Sequence, residues 1–271
     1  MVEVGPLRVR YGPLSVVEAG EQAGPALVLL HGIGSSGDAF LGQADLGEGG
    51  LADHWRLLAP DAPGYGLSDD PPEAPGIDGF ADAVARLLDD AGVDEAVLLG
   101  VSWGGVIATR FALRHADRLR ALVLADSSRG SGFDPERAEM MRQRARDYAA
   151  DPVAFVRDRT PLLVADGSQA DVVAAVARIM DEACRMPGYG HAAASLAETD
   201  HAPHLSSIDV PTLVVVGEHD RVCPPSDSRL LVEGIPGATY VEVPGTGHLP
   251  NQERPAEFNR IVGDWLDGLL P

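Results

Sequence analysis

Short apolar runs closed by Gly, Pro or Asp recur along the chain at residues 26–30, 56–59, 96–99, 119–125 and 212–216, with a weaker run at 239–243. Runs of this length bounded by turn formers read as strands buried on both faces. Between them the apolar period changes. Residues 77–91 place Ile77, Phe80, Val84, Leu87 and Leu88 on one helical face, and helical spacing returns at 106–115 and 253–270. Strand alternating with helix predicts right-handed crossovers and a mostly parallel sheet between helical layers. Segments 3–10 and 14–19, joined by Tyr11-Gly12-Pro13, predict an antiparallel hairpin at the sheet edge.

From about residue 127 to 207 the strand rhythm stops. The sequence turns rich in Ala, Arg and Asp, with helical patterns at 135–149, 152–156 and 170–183, and the rhythm resumes at Val210. A helical insertion between two parallel strands belongs above their carboxyl ends, where such folds bind ligands. We therefore expect a core made of residues 1–126 and 208–271, carrying a helical lid over 127–207. No internal repeat or low-complexity tract interrupts this plan.

Composition narrows the partners. At 271 residues and 45% hydrophobic, the chain can bury a single large core. Acidic residues outnumber basic ones 41 to 21, and a formal charge of −20 repels phosphate backbones and anionic lipid headgroups alike. Neither nucleic acid nor a membrane is an expected partner. No segment approaches the roughly 18 apolar residues of a membrane span, and residues 1–11 lack a signal-peptide pattern. A cytoplasmic location is expected. Cys184 and Cys223 are too few for a disulfide framework and have no metal or redox spacing, so both are read as plain thiols. The sequence leaves a homodimer open.

The strongest chemical signal is Gly100-Val101-Ser102-Trp103-Gly104, which follows an apolar strand and opens a helical pattern. In that context the serine sits on a strained strand-to-helix turn, with flanking glycines that let the backbone pack closely. A hydroxyl needs a base within hydrogen-bond reach. Of eight histidines, His248 in Gly245-Thr246-Gly247-His248 is best placed, in a loop between the last strand and the final helix. Asp220, closing Gly217-Glu218-His219-Asp220 after the run 212–216, is the expected acid that fixes the imidazole tautomer. Asp126, at the end of the run 119–125, is the rival carboxylate. The backbone amides of Ile33, in His31-Gly32-Ile33-Gly34, and of Trp103 are the expected oxyanion donors. His31 itself reads as a loop brace.

Other polar clusters carry weaker chemistry. His191, His201 and His204 lack a metal-ligand pattern, because a proline separates the last two and no third ligand adjoins them, so no metal and no cofactor is expected. Met140, Met141, Met180 and Met186 read as packing residues, with pocket lining the alternative. Arg129, Arg137 and Arg185 are the arginines weighed for holding a substrate carboxylate, against a solvated surface role.

From Pro25 to Leu270 the chain resembles the α/β-hydrolase superfamily, which presents a His-Gly loop, a nucleophile elbow, a post-strand Asp and a terminal Gly-His in this order. The resemblance implies an α/β-hydrolase fold, a mostly parallel eight-stranded sheet flanked by helices, with the lid inserted after strand six. Asp61-Ala62-Pro63-Gly64-Tyr65-Gly66-Leu67-Ser68-Asp69 is similar to a loop of both lactonases and meta-cleavage carbon-carbon hydrolases. His248-Leu249-Pro250-Asn251-Gln252-Glu253-Arg254-Pro255 looks more like 3-oxoadipate enol-lactonases and small esterases, since carbon-carbon hydrolases usually carry a tryptophan where Leu249 stands. Haloalkane dehalogenases and epoxide hydrolases place aspartate at the elbow, so Ser102 argues against both. Prolyl aminopeptidases share the Ser-Trp-Gly elbow, but their loop for gripping the substrate amine is not recognisable. The expected activity is hydrolysis of a small carboxylic ester or lactone through an acyl-enzyme. The alternatives are a carbon-carbon hydrolase and a non-hydrolytic member or receptor using the same pocket.

Overall fold

The computed structural model describes residues 6–45 and 49–269. Eight strands, β1 (Leu7–Tyr11), β2 (Leu14–Ala19), β3 (Ala26–Leu30), β4 (Arg56–Pro60), β5 (Ala96–Val101), β6 (Leu119–Ala125), β7 (Thr212–Gly217) and β8 (Thr239–Val243), form one sheet. Their order is β1-β2-β4-β3-β5-β6-β7-β8. β2 runs antiparallel to β1 and β4, and every other pairing is parallel. The carboxyl ends of β3, β5, β6, β7 and β8 therefore open on one edge, and the chemistry-bearing loops read from the sequence all leave from there.

Apolar composition explains which strands lie innermost. All residues of β3, β5 and β7 are buried, as expected for strands covered on both faces by helices. The first covering helix, α1 (Gly76–Asp90), buries Phe80, Val84, Leu87 and Leu88, the stripe its spacing predicts. The edge hairpin forms with Tyr11 opposite Leu14, so its connection is the tight turn Gly12-Pro13, with Gly12 at φ 52°. Its first strand covers 7–11 rather than 3–10, and residues 3–5 lie outside the described residues.

α2 (Trp103–Arg114) follows β5 directly. Between β6 and β7 lie α3 (Pro135–Ala150), α4 (Pro152–Arg159), α5 (Ala170–Ala183) and α6 (Gly188–Glu198). α3 starts as its sequence suggests: Asp134 accepts from the amides of Glu136 and Arg137, and Pro135 occupies the first turn where no donor is needed. The excursion is closed at its neck. Ser131 and Gly132 donate to the carbonyls of Leu196 and Thr199, and His201 donates back to that of Arg129. α6 has no counterpart in the sequence reading, because Gly188 and Gly190 break its helical signal. Gly188 is there for contact, since a Cβ at that position would fall 2.0 Å from the carbonyl oxygen of Gly64.

After β7 come α7 (Pro225–Gly234), then β8, α8 (Pro250–Glu253) and α9 (Pro255–Asp267). α7 also went unpredicted, hidden behind Pro224-Pro225 and a polar exterior. The helix expected over 253–270 is α9, which starts two residues later than expected, and α8 precedes it as a separate short turn. Pro255 lacks an amide to continue α8, and Arg254 leaves helical geometry at φ −141°, ψ 65°. Residue 270 lies outside the described residues. No helix among the described residues is long and apolar enough to cross a membrane.

Candidate active site

Ser102 sits between β5 and α2 at φ 55°, ψ −117°, a conformation that L-residues rarely hold. The flanking glycines are required by contact. A Cβ on Gly100 would lie 2.3 Å from the carbonyl of Gly104, and one on Gly104 would lie 2.0 Å from the Leu30 carbonyl oxygen. The turn is tied down by the Ser102 amide donating to Ala125 and by the Ser127 hydroxyl donating to the Ser102 carbonyl at 2.8 Å. Strain of this kind costs roughly 1–3 kcal/mol and survives only where surroundings over-determine it.

His248 and Asp220 come together from separate loops. The imidazole Nδ1 lies 2.8 Å from Asp220 Oδ2, with both side chains buried. The other Asp220 oxygen accepts from the amides of Val222 and Cys223 at 2.7 and 3.0 Å, which fixes the carboxylate plane. With Nδ1 engaged, Nε2 has no partner among the described residues and His248 lines the same pocket as Ser102. Asp126 lies behind this pair. Asp126, Asp220 and His248 each bring a ligand-type atom within 4.8 Å of the others. Asp126 is fully buried, holds φ 48°, and accepts from the Gly217 amide at 2.8 Å through one oxygen while the other has no partner. Burial, and after it the neighbouring Asp220, push its carboxyl well above the ordinary carboxylate range.

The amides of Ile33 and Trp103 border the same pocket, and neither donates to an acceptor among the described residues. Trp103 is the first residue of α2, where helix geometry leaves the amide unpaired and the dipole favours negative charge. Its position is fixed from below: the indole donates to Ser195 at 3.0 Å and packs edge-on against Phe80. A Cβ on Gly32 would stand 3.2 Å from that of Ser102, so the β3 loop approaches the elbow closely. His31 braces that loop, donating from Nδ1 to the Gly32 carbonyl and accepting the Ala62 amide at Nε2.

Gly32, Ile33, Ser102, Trp103 and His248 line a cavity of about 330 Å³. Much of its far wall comes from the segment between β6 and β7, including Met140, Met141, Val176, Ile179 and Leu196. Met180 is instead buried in the core and Met186 is exposed. His201 is buried against the Val106 carbonyl, and burial lowers its pKa to about 4. Of the three arginines singled out earlier, Arg137 alone lines the cavity, paired with Asp227 at 3.0 Å. Arg129 lies over Phe133, while Arg185 is held by Asp70 and the carbonyls of Gly66 and Ser68.

Glu253 was not read as functional, yet it holds the His248 loop in place. One oxygen accepts from the amides of Gly247 and Leu249, and the other from the Ala165 amide and the Ser168 hydroxyl. The carboxylate thus joins the loop to the segment between α4 and α5. Glu253→Ala is expected to lower kcat about tenfold and stability by about 2 kcal/mol, given the usual worth of hydrogen bonds to a charged group. Turnover and denaturant midpoint, taken together, check both effects.

A family model described as alpha/beta hydrolase fold matches residues 25–255. The chain is 26% identical over 252 residues to 3-oxoadipate enol-lactonase 2 of Acinetobacter baylyi, covering 92% of this chain and 91% of that one. It is 30% identical over 268 residues to 2-hydroxymuconate semialdehyde hydrolase of Pseudomonas sp. CF600, covering 90% and 87% respectively. A thermophilic esterase from Thermogutta terrifontis superposes with a TM-score of 0.85 at 27% identity, covering 98% of each chain.

Proposed function

We propose that this chain, which belongs to the alpha/beta hydrolase fold family, hydrolyses a small carboxylic ester or lactone through an acyl-enzyme on Ser102. The observation that carries the reading is one pocket holding a strained serine at a helix N-terminus and a histidine whose Nδ1 is held by a buried carboxylate. Ser102 Oγ attacks the carbonyl carbon as His248 Nε2 takes its proton, and the oxyanion falls to the amides of Ile33 and Trp103. His248 then protonates the leaving group, and activates water to release the acid. Asp220 keeps the imidazole in the tautomer both steps need. The sequence needs no cofactor. Helices α3–α6 act as the lid that shapes the substrate cavity, and the two free cysteines suit a cytoplasmic enzyme.

Similarity to a 2-hydroxymuconate semialdehyde hydrolase favours a second reading, cleavage of a carbon-carbon bond in the same pocket. Leu249 beside the base, in place of the tryptophan usual in those enzymes, ranks it second. Intact-mass spectrometry with p-nitrophenyl acetate and a small lactone panel separates the two. Turnover with an acetyl adduct on Ser102 is expected; folded protein that shows neither turnover nor adduct would remove the ester reading.

A further inference from the structure

We propose that Arg144 and Arg159 form a subsite for a carboxylate carried by the substrate, separate from the carbonyl that Ser102 attacks. The inference rests on the hydrolase reading for its context and names the class of substrate: an ester or lactone that is itself an anion.

The argument begins with charge pairing. The chain holds 41 carboxylate side chains, and its 21 basic residues are all arginine. Among the described residues every arginine ion-pairs with a carboxylate except Arg86, Arg129, Arg144 and Arg159. Arg86 is exposed to solvent, and Arg129 rests on the face of Phe133 at 4.0 Å. The remaining two both line the cavity that holds Ser102 and His248. In a protein with twice as many acids as bases, a partner for each would be easy to supply.

Burial makes an unpaired guanidinium costly. Arg144 reaches only Met141 Sδ and the Tyr189 hydroxyl, each at 3.4 Å, and its Nε is buried with no partner. The Nε of Arg159 is likewise buried and unpartnered, and no side-chain or backbone acceptor meets its guanidinium among the described residues. A guanidinium presents five donors, and burying its charge unpaired is unfavourable. Burial and the facing Arg144 lower the pKa of Arg159 to about 10, which still leaves it cationic at neutral pH. Two like charges held together near an apolar wall are relieved by an anion between them. The planar forks match a carboxylate bidentately, and Val176, Ile179 and Leu196 offer room for a short hydrocarbon chain linking it to the reacting carbonyl.

The test compares mono-p-nitrophenyl glutarate with p-nitrophenyl pentanoate after subtraction of uncatalysed hydrolysis. The native enzyme is expected to favour the anionic ester at least tenfold in kcat/KM. That preference should fall tenfold or more in Arg144→Gln and in Arg159→Gln, mostly through KM, with the lysine variants intermediate. An anionic-to-neutral ratio at or below one in the native enzyme, or a ratio unmoved in the folded variants, overturns the proposal. If either glutamine variant fails to fold by circular dichroism, its lysine counterpart carries the comparison, because it keeps the charge and loses the fork. Glutarate binding to Ser102→Ala protein, followed by calorimetry, tests the subsite without turnover. Binding that weakens at least tenfold on adding Arg159→Gln supports the subsite even if no ester is cleaved, a result that would sink only the hydrolase reading. Inorganic phosphate binding as tightly as glutarate would overturn the assignment to a carboxylate.

Discussion

Replacing Ser102 with alanine is expected to reduce turnover of p-nitrophenyl acetate by about 10⁴–10⁶-fold, to the residual level that oxyanion donors and binding alone provide. The fold should be unaffected. Ser102 lies between a strand and a helix whose anchoring bonds run through its backbone, from its amide to Ala125 and from Ser127 to its carbonyl. Alanine keeps both. It also keeps the positive φ, so the variant should melt within a few degrees of the native protein while losing all labelling by a fluorophosphonate probe. Near-native turnover by a verified, folded variant would dismiss the acyl-enzyme and turn attention to a mechanism in which the serine is a bystander.

The elbow was legible because contact and backbone conformation act locally. Gly100 and Gly104 are demanded by atoms within a few residues or on the adjoining strand, so the pattern Gly-x-Ser-x-Gly after an apolar run carries the geometry with it. The strand order was legible only as a class. Nothing in the apolar run at 56–59 says that β4 is inserted between β2 and β3, a choice made by crossover geometry and not by local pattern. Helix α6 was hidden for a related reason: its glycines weaken the local signal, while burial of Tyr189, Ala192 and Leu196 pays for the helix through tertiary packing.

The polar groups divide in the same way. His248 and Asp220 follow strands and precede helices, positions that a one-dimensional reading can locate. Glu253, Arg144 and Arg159 cannot be found so. Glu253 looks like any acid at the end of a short helix until Gly247 and Ala165 converge on it. Arg144 lies among Arg142 and Arg146 on α3, and both of those neighbours pair with Glu139. Only the fold reveals that the middle one turns to the cavity while its neighbours serve the surface.

The two aspartates near His248 provide the other large expected effect. Asp220→Asn should lower kcat about 10³–10⁴-fold, because an amide in that place no longer holds the Nδ1–H tautomer or stabilises the imidazolium. Asp126→Asn should cost less than about tenfold, since burial already disfavours a charge on that side chain, and asparagine can accept the Gly217 amide as it does. Steady-state rates of the two variants decide which carboxylate serves the base; the reverse ranking would make Asp126 the working acid. Stability gives an independent reading of the same pair. Above about pH 4 an unfolded chain releases the Asp126 proton, whereas the native protein retains it, so the native state binds more protons and its stability falls as pH rises toward the raised folded pKa. Each unit of that upward shift costs about 1.4 kcal/mol once both forms have ionised. Asparagine removes the titration. Asp126→Asn should therefore melt higher than the native protein at pH 8, with the difference shrinking toward pH 4, and a difference that ignores pH would show that Asp126 is ionised in the folded state.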